Sequence, residues 1–167
     1  NYAGIPEDVL LKRNHYFRSL MRVLKVPFFR TPADYLMFSS LSEVPSRWFK
    51  RKDVVVQRFC PEFEDGLYHV RLYQFLGDKF TCTRISSPRP IVNDRSGVRS
   101  QNIEVHKEIE KLRHELKFDY GKFDYVVHNG EAVLLDINKT TGAVRRVTPE
   151  TAAMRKHRAQ GIYSYFQ

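Results

Sequence analysis

With 167 residues, 42% of them hydrophobic, and 12 Phe and 9 Tyr, the chain has the material for one globular domain with a real core, or for part of a larger one, and is not a disordered protein. No apolar run approaches the ~20 residues needed to cross a bilayer, and no signal-peptide pattern opens the chain. A formal net charge of +9 favours anionic partners generally, whether nucleic acid, nucleotides, acidic substrates or anionic membrane surfaces, without choosing among them.

Cys60 and Cys82 are too few for a disulfide framework and lack the spacing of a zinc site, so a reduced, cytoplasmic protein is expected. The chain begins with Asn1 rather than Met, and is read as processed, truncated or a fragment.

Pro6-Glu7-Asp8 resembles a helix start, and the apolar spacing of Val9, Leu10, Phe17, Leu20, Met21 and Leu24 predicts a helix ending before Pro27. Thr31-Pro32 and Ser42 are further start signals, and Trp48 with Phe49 is expected to pack a short element onto the core. From Asp53 the pattern changes to strands. Val54-Val55-Val56 reads as a strand buried on both faces. Leu67 to Leu76 and Lys79 to Ile85 flank Gly77-Asp78, a two-residue hairpin turn.

Residues 86–100, rich in Ser, Pro, Arg and Gly, read as an exposed loop. Residues 103–117 read as a charged amphipathic helix with Ile103, Ile109, Leu112 and Leu116 as its apolar positions. A hairpin around Asn129-Gly130 follows, then a loop at Thr140-Thr141-Gly142 and a helix from Thr148-Pro149-Glu150. Helices alternating irregularly with antiparallel hairpins predict an α+β domain spanning 1–167, an antiparallel sheet with flanking helices.

The hairpin Phe123 to Asn138 carries the chemistry. A two-residue turn would pair His128 with Glu131, set Asp124 opposite Leu135 and mix polar with apolar side chains on both faces. A three-residue loop shifts the register by one residue and so moves side chains to the opposite face. Phe123, Tyr125, Val127, Val133, Leu135 and Ile137 then share one face, and Asp124, Asp136 and Asn138 share the other with Val126, His128, Ala132 and Leu134. The cleaner apolar face favours the odd loop. Two carboxylates and an amide oxygen form a hard-oxygen site suited to magnesium, against the plainer reading of a hairpin's wet face.

In the first hairpin, counting back from Gly77-Asp78 puts Arg71 opposite Arg84. Like charges in that position repel unless neutralised. A phosphate matches guanidinium forks, while screening by water on a solvent face is the other reading.

At these residues the chain resembles a family. Val54-Val55-Val56-Gln57-Arg58-Phe59-Cys60-Pro61-Glu62 is similar to the strand-and-hinge segment of the ATP-grasp proteins. His69-Val70-Arg71, Gly77-Asp78 and Arg84 resemble their phosphate-facing hairpin. Phe123-Asp124 and Leu135-Asp136-Ile137-Asn138 resemble their magnesium hairpin, and Asn138-Lys139-Thr140-Thr141-Gly142 the loop after it. The resemblance runs from Gln57 to Gly142 and is closest to the glutathione synthetase and ribosomal-protein-modifying ligase branch.

What it implies is an ATP-dependent ligase joining a carboxylate to an amine or thiol through an acyl phosphate. The backbone of Arg58, Phe59 and Cys60 would meet the adenine edge with Gln57 nearby. Arg71 and Arg84 would hold phosphate oxygens, and Asp124, Asp136 and Asn138 would bind Mg2+. His69 stands where related ligases often carry an acid, leaving Glu62 and Asp65 as ribose candidates. Asp136 replaces the family's usual Glu. The family's lysines and glycine-rich loop would lie before or near the chain's start, with Asn1-Tyr2-Ala3-Gly4-Ile5-Pro6-Glu7 as the loop's remainder.

The expected partners are therefore ATP and a carboxylate substrate, with no membrane. A basic nucleic-acid-binding module is the rival from charge and interleaved aromatics, and an inactive nucleotide-binding module is the third reading.

Overall fold

The computed structural model describes residues 9–13, 35–92, 97–142 and 147–166. The chain forms two compact units, Asn1–Cys60 and Pro61–Gln167. Both are built on antiparallel sheets, and the class is α+β. No helix among the described residues is long and apolar enough to cross a membrane.

In the first unit, β1 (Val9–Arg13) lies between β2 (Tyr35–Phe38) and β3 (Val54–Gln57). The helix expected from Pro6 is therefore corrected to a strand over Val9–Arg13. An unbroken Val9-Leu10-Leu11 run suits a central strand as well as a helix, and pairing on both sides decides for the strand. The remainder of that helix, and Thr31-Pro32, lie outside the described residues. Short 3-10 turns at Leu41–Glu43 and Ser46–Trp48 bring Trp48 edge-on to Phe38, with ring centroids 5.7 Å apart. Phe49 remains exposed. Among the described residues β3 is an edge strand rather than one buried on both faces, and Val55 is 55% exposed.

The described residues of the second unit form six strands: β4 (Glu62–Glu64), β5 (Leu67–Leu76), β6 (Lys79–Ser87), β7 (Arg99–Asn102), β8 (Tyr120–His128) and β9 (Glu131–Asn138). Their order is β7-β6-β5-β8-β9, with β4 pairing the start of β5. Segment 86–100 is not the loop that its composition predicts: β6 runs on to Ser87 and β7 adds an edge. Ser86 and Ser87 are buried, whereas all four β7 residues are exposed. A polar edge strand of this kind carries no apolar alternation to reveal it.

Successive strand residues point to opposite faces, so the registers sort the sheet cleanly. One face gathers Tyr73, Phe75, Phe80, Cys82, Phe123, Tyr125 and Leu134. Helix α1 (Lys107–Glu115) closes it with Ile109, and Ile103 and Val105 pack ahead of the helix. α1 is shorter than the expected 103–117, because His106 caps it by accepting from Glu108 N–H. Arg113, also buried, donates to Tyr73 Oη (2.9 Å) and Phe118 O (3.0 Å) over the Phe75 ring. Helix α2 (Pro149–Ala159) begins as expected, with Thr148 and Thr151 forming a reciprocal cap. It packs on the other face, where Arg158 donates to Thr81 Oγ1 at 2.6 Å.

Burial raises the pKa of Cys82, Tyr73 and Tyr125 above their ordinary values. Tyr125 Oη accepts from His106 N–H (3.1 Å) and shares a second hydrogen bond with Cys82 Sγ (3.4 Å), in which either group can donate. In the unfolded chain these groups ionise from about pH 9–10, while the folded ones stay protonated. Their contribution is thus intact below pH ~9 and is lost as pH rises through the folded values, by up to about 1.4 kcal/mol per pH unit per group. Urea midpoints from pH 8 to 10.5 should fall accordingly, and Tyr125→Phe should flatten the slope. A midpoint independent of pH would contradict the buried protonated pair.

Candidate functional site

The Asn129-Gly130 turn is the two-residue kind, with φ of 51° and 86°, and His128 pairs with Glu131. This corrects the expected three-residue loop. The extra residue is absorbed further along, at a bulge opposite the Asp124/Tyr125 step: Tyr125 pairs with Leu134 and Asp124 with Asp136. Leu135 is left over and 43% exposed. Ala132 and Leu134 therefore join the core face, and Val133 leaves it, opposite to expectation. Beyond the bulge the expected arrangement holds, with Phe123 opposite Ile137 and Asp124 opposite Asp136.

Asp124, Asp136 and Asn138 thus share the face away from α1. Lys122, opposite Asn138, holds Asp124 Oδ2 at 2.8 Å. Asn138 Nδ2 donates to Asp136 Oδ2 at 3.0 Å, which leaves its amide oxygen to serve as a ligand. Two facing carboxylates with an amide oxygen beside them are a donor set that fits magnesium. Lys122 was missed from sequence, although the Lys122-x-Asp124 alternation places it on the same face.

Arg71 does pair with Arg84. Their neutralisation, however, is internal. Glu62, 6% exposed, accepts from Arg71 Nε at 3.0 and 2.9 Å and from Nη2 at 2.8 Å, and its Oε2 also accepts from Val127 N–H at 2.7 Å. Arg84 Nη1 donates to Glu64 Oε2 at 2.8 Å and lies 3.9 Å from Glu62. Arg84 Nε is buried without an acceptor among the described residues. Burial opposes the charge on Arg71, but the Glu62 carboxylate outweighs it and holds the pKa above its ordinary value.

These arginines occupy the core face of the sheet, because Arg71 pairs with Tyr125 while Asp124 pairs with Leu72. The sheet separates them from the carboxylates, so one phosphate is not gripped by arginines and metal together. Glu62, a ribose candidate from sequence, is committed to the arginine pair. Asp65 is exposed at φ 53°, in the turn between β4 and β5. His69 is buried, its Nδ1 2.9 Å from Ser86 Oγ and its Nε2 3.3 Å from Glu64 O. In the other unit Gln57 ends β3 opposite Leu10, with Arg58 exposed and Phe59 and Cys60 half-buried in the segment that follows. Cys60 and Cys82 are both free thiols.

No family model matches the chain, and no curated protein matches it.

Proposed function

We propose that the chain is an ATP-grasp-like magnesium–ATP-binding domain of a carboxylate–amine or carboxylate–thiol ligase that works through an acyl phosphate. One observation carries the reading: the bulge at Leu135 brings Asp124 opposite Asp136 with Asn138 alongside, two carboxylates and an amide oxygen of which Lys122 bonds only Asp124 among the described residues. The nucleotide supplies the phosphoryl group, and magnesium neutralises its developing charge. Asp124, Asp136 and the Asn138 amide oxygen would hold the metal. Lys122, bonded to Asp124, would add a positive charge beside it for a phosphate oxygen. Arg71 and Arg84 serve as a structural pair with Glu62. The adenine role of Gln57, Arg58, Phe59 and Cys60 rests on the resemblance.

Isothermal titration with a non-hydrolysable ATP analogue, with and without magnesium, tests this. Binding should require magnesium, and Asp136→Ala should weaken it at least about tenfold. Binding that ignores magnesium, or that survives Asp136→Ala intact, rejects the reading.

A further inference from the structure

On the same face of the second unit, but over β5, β6 and β7, α2 roofs a cavity of about 460 Å³. Its apolar lining comes from Leu72, Ile85, Val98 and Met154, and Arg99, Arg155 and Arg158 also line it. Among the described residues its lining includes no Asp or Glu. We propose that this pocket binds a small molecule with an oxyanionic head, carboxylate or phosphate, on a compact apolar body.

The argument starts from Arg158. It is 9% exposed, and among the described residues its one hydrogen bond is to the neutral Thr81 hydroxyl. No described carboxylate lies within ion-pair distance of Arg158, Arg155 or Arg99. The contrast within this sheet is sharp, since Arg71 and Arg84 are each matched by glutamates.

A buried guanidinium without a counter-charge costs several kcal/mol, and a cation near a helix C-terminus recovers at most about 2. Burial first, and Arg155 next, push the Arg158 pKa below its ordinary value, the direction expected of a cation facing another cation. An anion in the cavity removes both penalties, and its guanidinium fork favours planar or tetrahedral oxyanions over halide-like charges. The volume lies in the range of small-molecule sites, and the aliphatic lining calls for an apolar body behind the head.

This proposal stands apart from the nucleotide reading. Leu72 lines the pocket and pairs with Asp124, so the two sites are neighbours across one strand spacing, but they share none of the metal donors.

The test is a titration of the whole chain, followed by amide NMR, with 3-phenylpropionate, phenyl phosphate and the neutral 3-phenylpropan-1-ol. Saturable shifts are expected at Thr81, Thr83, Ser100, Arg155 and Arg158, with the alcohol at least about tenfold weaker than the better anion. Whichever anion binds more tightly identifies the head group. Arg158→Met should abolish the preference for anions while leaving thermal stability equal or higher, because an unmatched buried charge has been replaced by an apolar chain of similar length. Arg155→Gln, at a half-buried site whose side chain makes no hydrogen bond among the described residues, should weaken the anions without touching the fold. Asp136→Ala should leave their affinity unchanged, so this proposal and the nucleotide reading fail separately. Equal affinity for acid and alcohol, absence of saturable shifts, or unchanged anion binding in both arginine variants overturns the proposal. So does an Arg158→Met chain that is destabilised but binds anions as before.

Discussion

Replacing Glu62 by Gln should destabilise the second unit by about 3–5 kcal/mol, the cost of removing one partner from a buried charge pair. The carboxylate is 7% exposed, receives three contacts from Arg71 and one from Val127 N–H, and stands within 4 Å of Arg84. Without it, Arg71 faces Arg84 across the strand pair with only the exposed Glu64 nearby. At about 4 °C or more per kcal/mol for a unit of this size, the melting temperature should fall by more than about 10 °C. The double variant Glu62→Leu with Arg71→Met should recover most of the loss, because a buried pair replaced whole by apolar groups is near neutral.

Added phosphate gives a further readout. If the glutamate does the work that an anion would otherwise do, phosphate should stabilise Glu62→Gln and leave the native chain unmoved. Stabilisation of the native chain at these residues would instead restore the arginines as a ligand site. A loss below about 1 kcal/mol would reduce the cluster to an ordinary surface pair.

That glutamate shows where the sequence was legible and where it was not. Gly77-Asp78 fixes its own hairpin, and the Arg71–Arg84 register followed directly from it. Asp65-Gly66 is an equally strong turn signal, with φ of 53° and 75°, and it fixes Glu62 opposite His69, one diagonal step from Arg71. It was the available clue to the internal neutralisation and it went unread, because β4 is only three residues long.

Other features have no local signature. The bulge falls at Leu135, a residue type that marks nothing, so the Asp124–Asp136 pairing was reached through the wrong loop length. Whether Arg71 and Asp124 share a face depends on the β5–β8 register. That register is set by packing between hairpins far apart in sequence, and no turn specifies it. The Arg158 pocket depends on where α2 lands, which is likewise tertiary. Edge strands such as β7 are legible only once their partner is known.

Where α2 lands is itself open to a decisive substitution. α2 runs into a 3-10 turn, Gln160–Tyr165, in which Gly161 is buried. A Cβ there would overlap the carbonyl oxygen of Leu76 and stand 2.8 Å from its carbon and 3.2 Å from Lys79 N. All three are backbone atoms of the β5–β6 turn, and backbone cannot swing aside as a flexible side chain would. On the other side of the contact, a Cβ on Gly77, at φ 53°, would overlap Gly161 O and Ser164 Oγ. Two glycines thus let the chain after α2 sit directly on the hairpin, and Tyr165 Oη donates to Asp119 O beyond it at 3.4 Å.

Gly161→Ala should cost about 3 kcal/mol, the upper range for overpacking, and should lift this segment off the turn. Gly66→Ala is the control. Unlike Gly161 it has a positive φ, 75°, and no described atom lies within 4 Å, so only the left-handed backbone strain of about 1–2 kcal/mol is expected. Because α2 roofs the pocket and carries Arg158 into it, Gly161→Ala should also weaken 3-phenylpropionate binding, whereas Gly66→Ala should not. If both alanines cost the same, the contact with Leu76 does not seat α2, and the roof of the pocket must be held by the Arg158–Thr81 bond and the Met154 packing instead.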